Sequence, residues 1–361
     1  MSDQQDRARL FDLDAPEAYV AADPSDMLRR IRELPQQVTD AWQGVAALDL
    51  PADCRRPAGV LLLGMGGSAI GGDLARDLVA GECPVPFQVN RDYDLPAWVD
   101  RRTLVIASSY SGNTEETLSG LEQALARGAA VVGVSSGGRV TDRLRAAGRP
   151  VIPIQYESQP RAALGHSLIP VLGILRAAGL IADPARSVEA ARRALDRVLA
   201  ENGPEVATVN NRAKGIARTL HGRVAVVYGG SLLSSVARRW KTQINENSKA
   251  WAFWEENPEL CHNAVLGYQF PPLADRVHVL LLDSPLISQR TRIRAEVTQR
   301  ILDRQSIPHD RVAGQETDRL AALLELILLG DLTSYYLALL NGVDPTPVEM
   351  IDYLKAELAG R

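Results

Sequence analysis

The sequence predicts an α/β protein of two doubly wound halves, each a parallel sheet flanked by helices, behind an N-terminal helical arm, and three observations carry that prediction. Short apolar runs alternate with helix-patterned segments from Gly59 to Ile154, the rhythm of a parallel sheet with crossover helices. Two of the runs end in turns rich in glycine or hydroxyls, Gly64-Met65-Gly66-Gly67-Ser68 and Ser108-Ser109-Tyr110-Ser111-Gly112-Asn113-Thr114. The rhythm then resumes, and Gly229-Gly230-Ser231 after the run Val224 to Tyr228 echoes Gly66-Gly67-Ser68, as a duplicated α/β unit would. The expected division is an arm over residues 1–58, a first domain over 59–203 and a second over 204–361.

Taken in order, the arm is a polar start followed by amphipathic helix, with Met27, Ile31, Leu34 and Val38 spaced for one buried face and Pro51 and Pro57 closing it. It holds no cluster of reactive side chains and reads as packing or dimer-contact material. The first half predicts strands at 59–63, 87–89, 103–107, 130–134 and 151–154, with helices at 69–79, 114–126 and 141–147. A helical link from Leu168 to Leu220, broken at Asp183-Pro184 and Gly203-Pro204, joins the halves. The second half predicts strands at 224–228 and 277–282 and helices at 233–249, 287–302, 318–340 and 347–358.

Composition excludes several function classes. The 361 residues are 46% hydrophobic and 23% charged, enough for sizeable cores in about two domains. A net charge of −4, a pI near 5.8 and the absence of any Lys/Arg block argue against nucleic-acid or anionic-membrane surfaces. Cys54, Cys83 and Cys261 are odd in number and scattered, so neither a disulfide framework nor a zinc knuckle is readable, and a reducing cytoplasm fits. The start Met1 to Arg9 is polar, and the most apolar stretch, Leu320 to Leu329, is interrupted by Glu325, so no membrane span is expected. The five histidines show no metal-ligand spacing, and no metal site is expected.

The turn after the 103–107 run carries the chemistry of the first half. Ser109, Ser111 and Thr114 would converge with the free amides of the following helix, whose dipole favours an anion there. A plain cap by Asn113 or Thr114 would need one hydroxyl; this turn offers four. In doubly wound sheets ligands sit beyond the carboxyl ends of the strands, so the glycine loop with Gly67 and Ser68 would reach the same anion. That loop also satisfies the loose pattern G-x-G-x-x-A, but the ribose-binding acid expected about 20 residues on has no counterpart at the second strand's end, since Glu82 precedes that strand and Asp92 lies past it. A phosphate cradle in the first half alone is the expectation, because the second half has no matching serine-rich turn.

The second half gathers its polar groups between elements, in Asn245-Glu246-Asn247-Ser248-Lys249 and Asn257-Pro258-Glu259-Leu260-Cys261-His262-Asn263, among Trp251, Phe253, Trp254 and Tyr268. Carboxylates, amides and an imidazole between aromatic walls suit a small-molecule site. Glu246 could equally be a solvated helix face, Glu259 a first-turn acid after a proline, and His262 a structural histidine.

These segments resemble the bifunctional phosphoglucose/phosphomannose isomerases, built from two sugar isomerase (SIS) domains. The resemblance covers nearly all of the chain beyond the arm. It rests on the glycine loop 64–68, on Ser109 to Glu116, on Pro160-Arg161-Ala162-Ala163-Leu164-Gly165, on Asn245 to Lys249, on Pro258-Glu259 with His262-Asn263, and on Ile351-Asp352-Tyr353-Leu354-Lys355. The resemblance implies that Gly67, Ser68, Ser109, Ser111 and Thr114 bind the substrate phosphate, that Glu246 moves the proton between C1 and C2, that Arg161 stands beside the enediolate, and that His262 and Lys355 open the sugar ring. It also implies hexose 6-phosphate substrates, no cofactor, a place in glycolysis and gluconeogenesis, and a homodimer whose histidine crosses from the partner subunit. The family often continues His-Asn with a glutamate; here Ala264 stands in its place.

Elementary chemistry gives independent reasons for these residue types. Aldose–ketose isomerisation moves one proton from C2 to C1 through an enediol and leaves the electron count unchanged, so no redox partner is called for. A carboxylate, with a reference pKa of about 4.3 that burial raises, suits the transfer. A guanidinium stabilises the oxyanion without surrendering its proton. An imidazole can give and take the ring protons near neutrality. Glucose and mannose 6-phosphates differ only at C2, so one base serves both if the C2–C3 bond turns. The alternatives are a narrower sugar-phosphate or amino-sugar-phosphate isomerase and a non-catalytic SIS-type sensor; the latter would want a basic DNA-binding segment, which residues 1–58 do not provide.

Overall fold

A computed structural model describes residues 10–269 and 275–359; the polar start Met1–Arg9 lies outside them. The arm forms α1 (Tyr19–Ala22), α2 (Met27–Arg32) and α3 (Leu34–Val45). Met27, Ile31, Leu34 and Val38 are all buried, so the predicted stripe does its work, although the helix is broken at Glu33.

The first half runs β1 (Gly59–Leu63), α4 (Gly66–Val79), β2 (Phe87–Asn90), β3 (Thr103–Ser109), α5 (Glu115–Ala126), β4 (Ala130–Ser135), α6 (Gly138–Ala146) and β5 (Val151–Pro153). Its five strands are parallel in the order β2-β1-β3-β4-β5. Every residue of β1, β3 and β4 is buried, which is why each reads as an unbroken apolar run. Val60 and Leu62 point to the face covered by the arm and linking helices, Leu61 and Leu63 to the face covered by α5 and α6. Several boundaries differ from expectation, among them α6, which begins at Gly138 rather than Thr141. β3 continues through Ser108 and Ser109 because those residues pair with Val134 and Ser135 of β4, and α4 begins at Gly66 rather than Ala69.

The link folds into α7 (Leu164–Ala177), α8 (Ala185–Asn202) and α9 (Arg212–Leu220). The second half follows as β6 (Val224–Gly230), α10 (Ser234–Ser248), β7 (Ala252–Asn257), β8 (Val277–Asp283), α11 (Gln289–Arg304), β9 (His309–Ala313), α12 (Arg319–Leu340) and α13 (Glu349–Ala359). Its parallel sheet has the order β7-β6-β8-β9, and the two strands not expected from the sequence, β7 and β9, are its edges. Both carry charged residues, as edge strands commonly do, and so lack an apolar signature.

The core's axis is α12. Every residue from Leu320 to Leu340 is buried, against α8, α9 and α10. This helix has the length and apolar character to cross a membrane, yet its apolar window is 100% buried within the protein. One continuous apolar cluster joins the arm, the linking helices and one face of each sheet around it.

In both sheets the chain leaves neighbouring central strands in opposite directions: β1 leads to β2 and β3 to β4, and likewise β6 leads to β7 and β8 to β9. A crevice therefore opens beyond the carboxyl ends of β1 and β3, and another beyond those of β6 and β8.

Candidate active site

The first crevice is lined by the hydroxyl turn. Ser109, the last residue of β3, has its Oγ 3.0 Å from Thr114 Oγ1 and accepts the Gly112 N–H at 3.1 Å. Ser68, in the first turn of α4, accepts the Tyr110 N–H at 3.1 Å, which ties the glycine loop to the serine turn. Ser111 is exposed at the tip and accepts the Asn113 N–H at 3.3 Å. Thr114 is the N-cap of α5, but its side chain makes no capping bond, so its hydroxyl is turned to Ser109 instead of closing the helix end. Hydroxyls and helix-start amides thus share one rim, a layout suited to an anion. Glycine is required at 112: its φ is +69°, and a Cβ there would lie 1.8 Å from Gly137 O.

Gly67 joins this rim to Arg161. A Cβ on Gly67 would stand 2.6 Å from Pro160 O and 3.0 Å from Arg161 N, so only a glycine lets α4 begin against the Pro160–Ala162 turn. The Arg161 side chain is only 4% exposed and almost wholly committed, since its Nε donates to Asn247 Oδ1 at 2.8 Å and its Nη2 to Pro345 O at 2.9 Å and Thr346 O at 2.8 Å. That leaves Nη1, which lies 3.6 Å from Glu246 Oε2. Burial pushes the guanidinium below its ordinary pKa, with Glu246 opposing that shift and Arg239 adding to it. Glu246 sits in the last turn of α10 with its side chain 29% exposed, open to solvent on the side away from the arginine.

A second layer holds Arg161 by both ends. Asn247 donates to Ser334 Oγ at 2.9 Å, and Ser334 donates to Asp331 O at 2.7 Å. Asp331 pairs with Arg239 at 2.6 Å, and Arg239 donates to Arg161 O at 3.0 Å. The circuit runs from the Arg161 side chain through α10 to α12 and back to the Arg161 backbone. From the arm, Gln37 donates to Ala162 O at 2.8 Å and accepts the Gly165 N–H at 3.2 Å, so the arm supports this turn as well as packing on the core. Sequence reasoning missed Asn247, Arg239, Asp331, Ser334 and Gln37. An acid inside an otherwise apolar stretch of α12 was the available signal for Asp331.

His262 lies elsewhere. Helix α10 starts beyond the carboxyl end of β6 and returns antiparallel to it over about 22 Å, so Glu246 lies at the amino-terminal end of the second sheet. Strand β7 then climbs back about 20 Å, and His262 is exposed in the 3₁₀ turn Glu259–His262 at the opposite end. Glu259 is in that turn too, exposed, its Oε1 accepting from Asn263 Nδ2 at 3.3 Å. Lys355 projects from α13, exposed throughout residues 351–358. Among the described residues neither His262 nor Lys355 bonds to Arg161 or Glu246.

The expected aromatic walls also divide. Trp251 and Phe253 face a groove of about 1030 Å³ with Glu246, Lys249, Val348 and Ile351, whereas Tyr268 bonds Tyr228 at 2.8 Å and Trp254 lies under Arg238. The crevice between β6 and β8 is filled by Leu260, Leu281 and Ile287, leaving about 20 Å³, room for a water. Among the described residues no group of three or more His, Cys, Asp or Glu is placed to hold a metal ion.

Comparison with known proteins identifies the family. The family profile described as "Bacterial phospho-glucose isomerase C-terminal SIS domain" matches residues 209–358. A bifunctional phosphoglucose/phosphomannose isomerase of Caldicellulosiruptor bescii is 38% identical over 335 residues, 92% of this chain and 99% of that one. The chain belongs to the bifunctional phosphoglucose/phosphomannose isomerase family. A second such isomerase, from Aquifex aeolicus, is 36% identical over 311 residues, 86% of this chain and 93% of the relative. A hypothetical protein of Thermus thermophilus shares the fold at a TM-score of 0.74 and 20% identity, over 97% of this chain and 94% of that one.

Proposed function

We propose that this protein interconverts glucose 6-phosphate and mannose 6-phosphate with fructose 6-phosphate through an enediol, acting in the cytoplasm as a homodimer, at a step shared by glycolysis and gluconeogenesis. The observation that carries the reading is Arg161, whose backbone abuts Gly67 of the phosphate rim and whose one uncommitted nitrogen lies 3.6 Å from Glu246. The phosphate is anchored by Ser68, Ser109, Ser111, Thr114 and the backbone at Gly67. Glu246 takes the proton from C2 and returns it at C1. Nη1 of Arg161 meets the oxygen on which negative charge develops, and because its other donors are committed it needs no reorganisation to do so.

Ring opening falls to His262 and Lys355. The separation of His262 from Glu246 within one chain supports a histidine delivered by a second copy. The groove beside Glu246 and the bare helix α13, with Met350, Tyr353, Leu354 and Leu358 exposed, are surfaces a partner subunit would cover.

The deciding experiment is a coupled assay of the purified protein on glucose 6-phosphate, mannose 6-phosphate and glucosamine 6-phosphate, with and without chelator. Turnover of the first two, unaffected by chelator, is expected. Turnover of the amino sugar alone would transfer the protein to the narrower alternative.

A further inference from the structure

We propose that Lys249 is a positioning residue of the isomerase site, clamping the turn of α10 that carries Glu246 to the Pro345–Thr346 segment that orients Arg161. The inference rests on the assignment of Glu246 and Arg161 to the sugar. Lys249 is the residue that ends α10, with a left-handed backbone, φ +53°. Glycine or asparagine is the usual occupant of such a position, because the Cβ of another L-residue crowds the following carbonyl there. A lysine held there is explained by what its side chain does.

The ammonium donates to Glu246 O at 2.6 Å and to Pro345 O at 3.1 Å. Pro345 O is the same carbonyl that accepts from Arg161 Nη2 at 2.9 Å. One backbone oxygen is therefore gripped by two cations, one from each side of the site, and the second bond of Lys249 fixes the backbone of the base itself. Although Lys249 is exposed as a residue, its charged end is folded down against the 345 carbonyl and lines the groove beside Glu246.

The charges around it explain its sensitivity to pH. It faces Arg161 from the turn after β5, Glu246 from its own helix, Asp344 from the loop after α12, and Glu349 from α13. Burial, then repulsion by Arg161, push the ammonium down to about 8, while the three carboxylates resist. Below that pH the charged clamp is intact. Above it the group loses its proton, the charge-assisted bonds weaken, and Glu246 and Arg161 are no longer held in register. An alkaline decline in kcat follows, with the phosphate rim and therefore KM little affected.

The test compares kcat and KM of wild type, Lys249→Arg and Lys249→Met across neutral and alkaline pH, with thermal unfolding as the check on folding. A guanidinium keeps its charge throughout this range. Wild type should decline around pH 8. Lys249→Arg should lose that decline while keeping most of kcat at neutrality. Lys249→Met should have kcat lowered by about 10- to 100-fold at every pH, with no decline of its own near 8. If Lys249→Met fails to fold, the pH profile of Lys249→Arg decides. An active wild type whose decline is shared by both variants overturns this inference alone. A wild type with no isomerase activity overturns the functional reading and this inference with it.

Discussion

Replacing Glu246 by glutamine keeps the side chain's shape and removes its ability to accept a proton, so kcat on both glucose and mannose substrates should fall by about 10² to 10⁴-fold while binding survives. Glu259→Gln should leave most of the rate, because that carboxylate lies in an exposed turn away from Arg161. Retention of solvent-proton exchange into the sugar by Glu246→Gln, together with its loss in Glu259→Gln, would reverse the assignment. Ser111→Ala addresses the other end of the substrate. The phosphate is held alike in ground and transition states, so removing an exposed rim hydroxyl should raise KM with kcat nearly unchanged. An unchanged KM in the folded variant, measured by steady-state kinetics on either sugar, would remove Ser111 from the rim.

Among the elements, α10 and α12 bear the greatest structural load for the site. The Arg239–Asp331 pair is buried on both sides, 2% and 7% exposed, and truncating one partner strands the other's charge. Asp331→Ala should therefore cost about 3–5 kcal/mol, read as a fall in the denaturation midpoint, and should lower kcat further because Arg239, the donor to Arg161 O, loses the carboxylate that positions it. Unchanged stability would mean that Arg239 finds another partner. Elements differ in how legible they were. Strands β1, β3 and β4 were readable because both faces are buried, whereas β7 and β9 escaped because an edge strand needs only part of an apolar face. The serine rim was readable because its chemistry is in side chains. The grip on Arg161 was not, because Pro345 O and Thr346 O are backbone atoms that any residue could supply, and Asn247 and Gln37 gain meaning only once distant segments meet. Lys249 was in plain view within Asn245 to Lys249, but its use depends on a left-handed φ that no lysine advertises.

At the scale of the whole molecule, Glu246 and His262 lie at opposite ends of one sheet, and that geometry has a direct test. Mixing inactive His262→Ala with inactive Glu246→Gln protein under conditions of subunit exchange should restore part of the activity, since mixed dimers contain one site with both groups intact. No recovery, with exchange verified by mass-tagged subunits, would favour a site completed within a single chain. The placement of α12 bears on something other than catalysis. The helix around which the arm, the link and both sheets close is residues 319–340, so it emerges during synthesis only after α8, α9 and α10, the helices it packs against. Until then a nascent chain presents α8, α9 and α10 with their apolar faces uncovered, a state that invites chaperone capture or aggregation. A ribosome that stops short of residue 319 releases a polypeptide with a vacancy along its central axis, and quality control would meet the two halves still waiting for their shared spine.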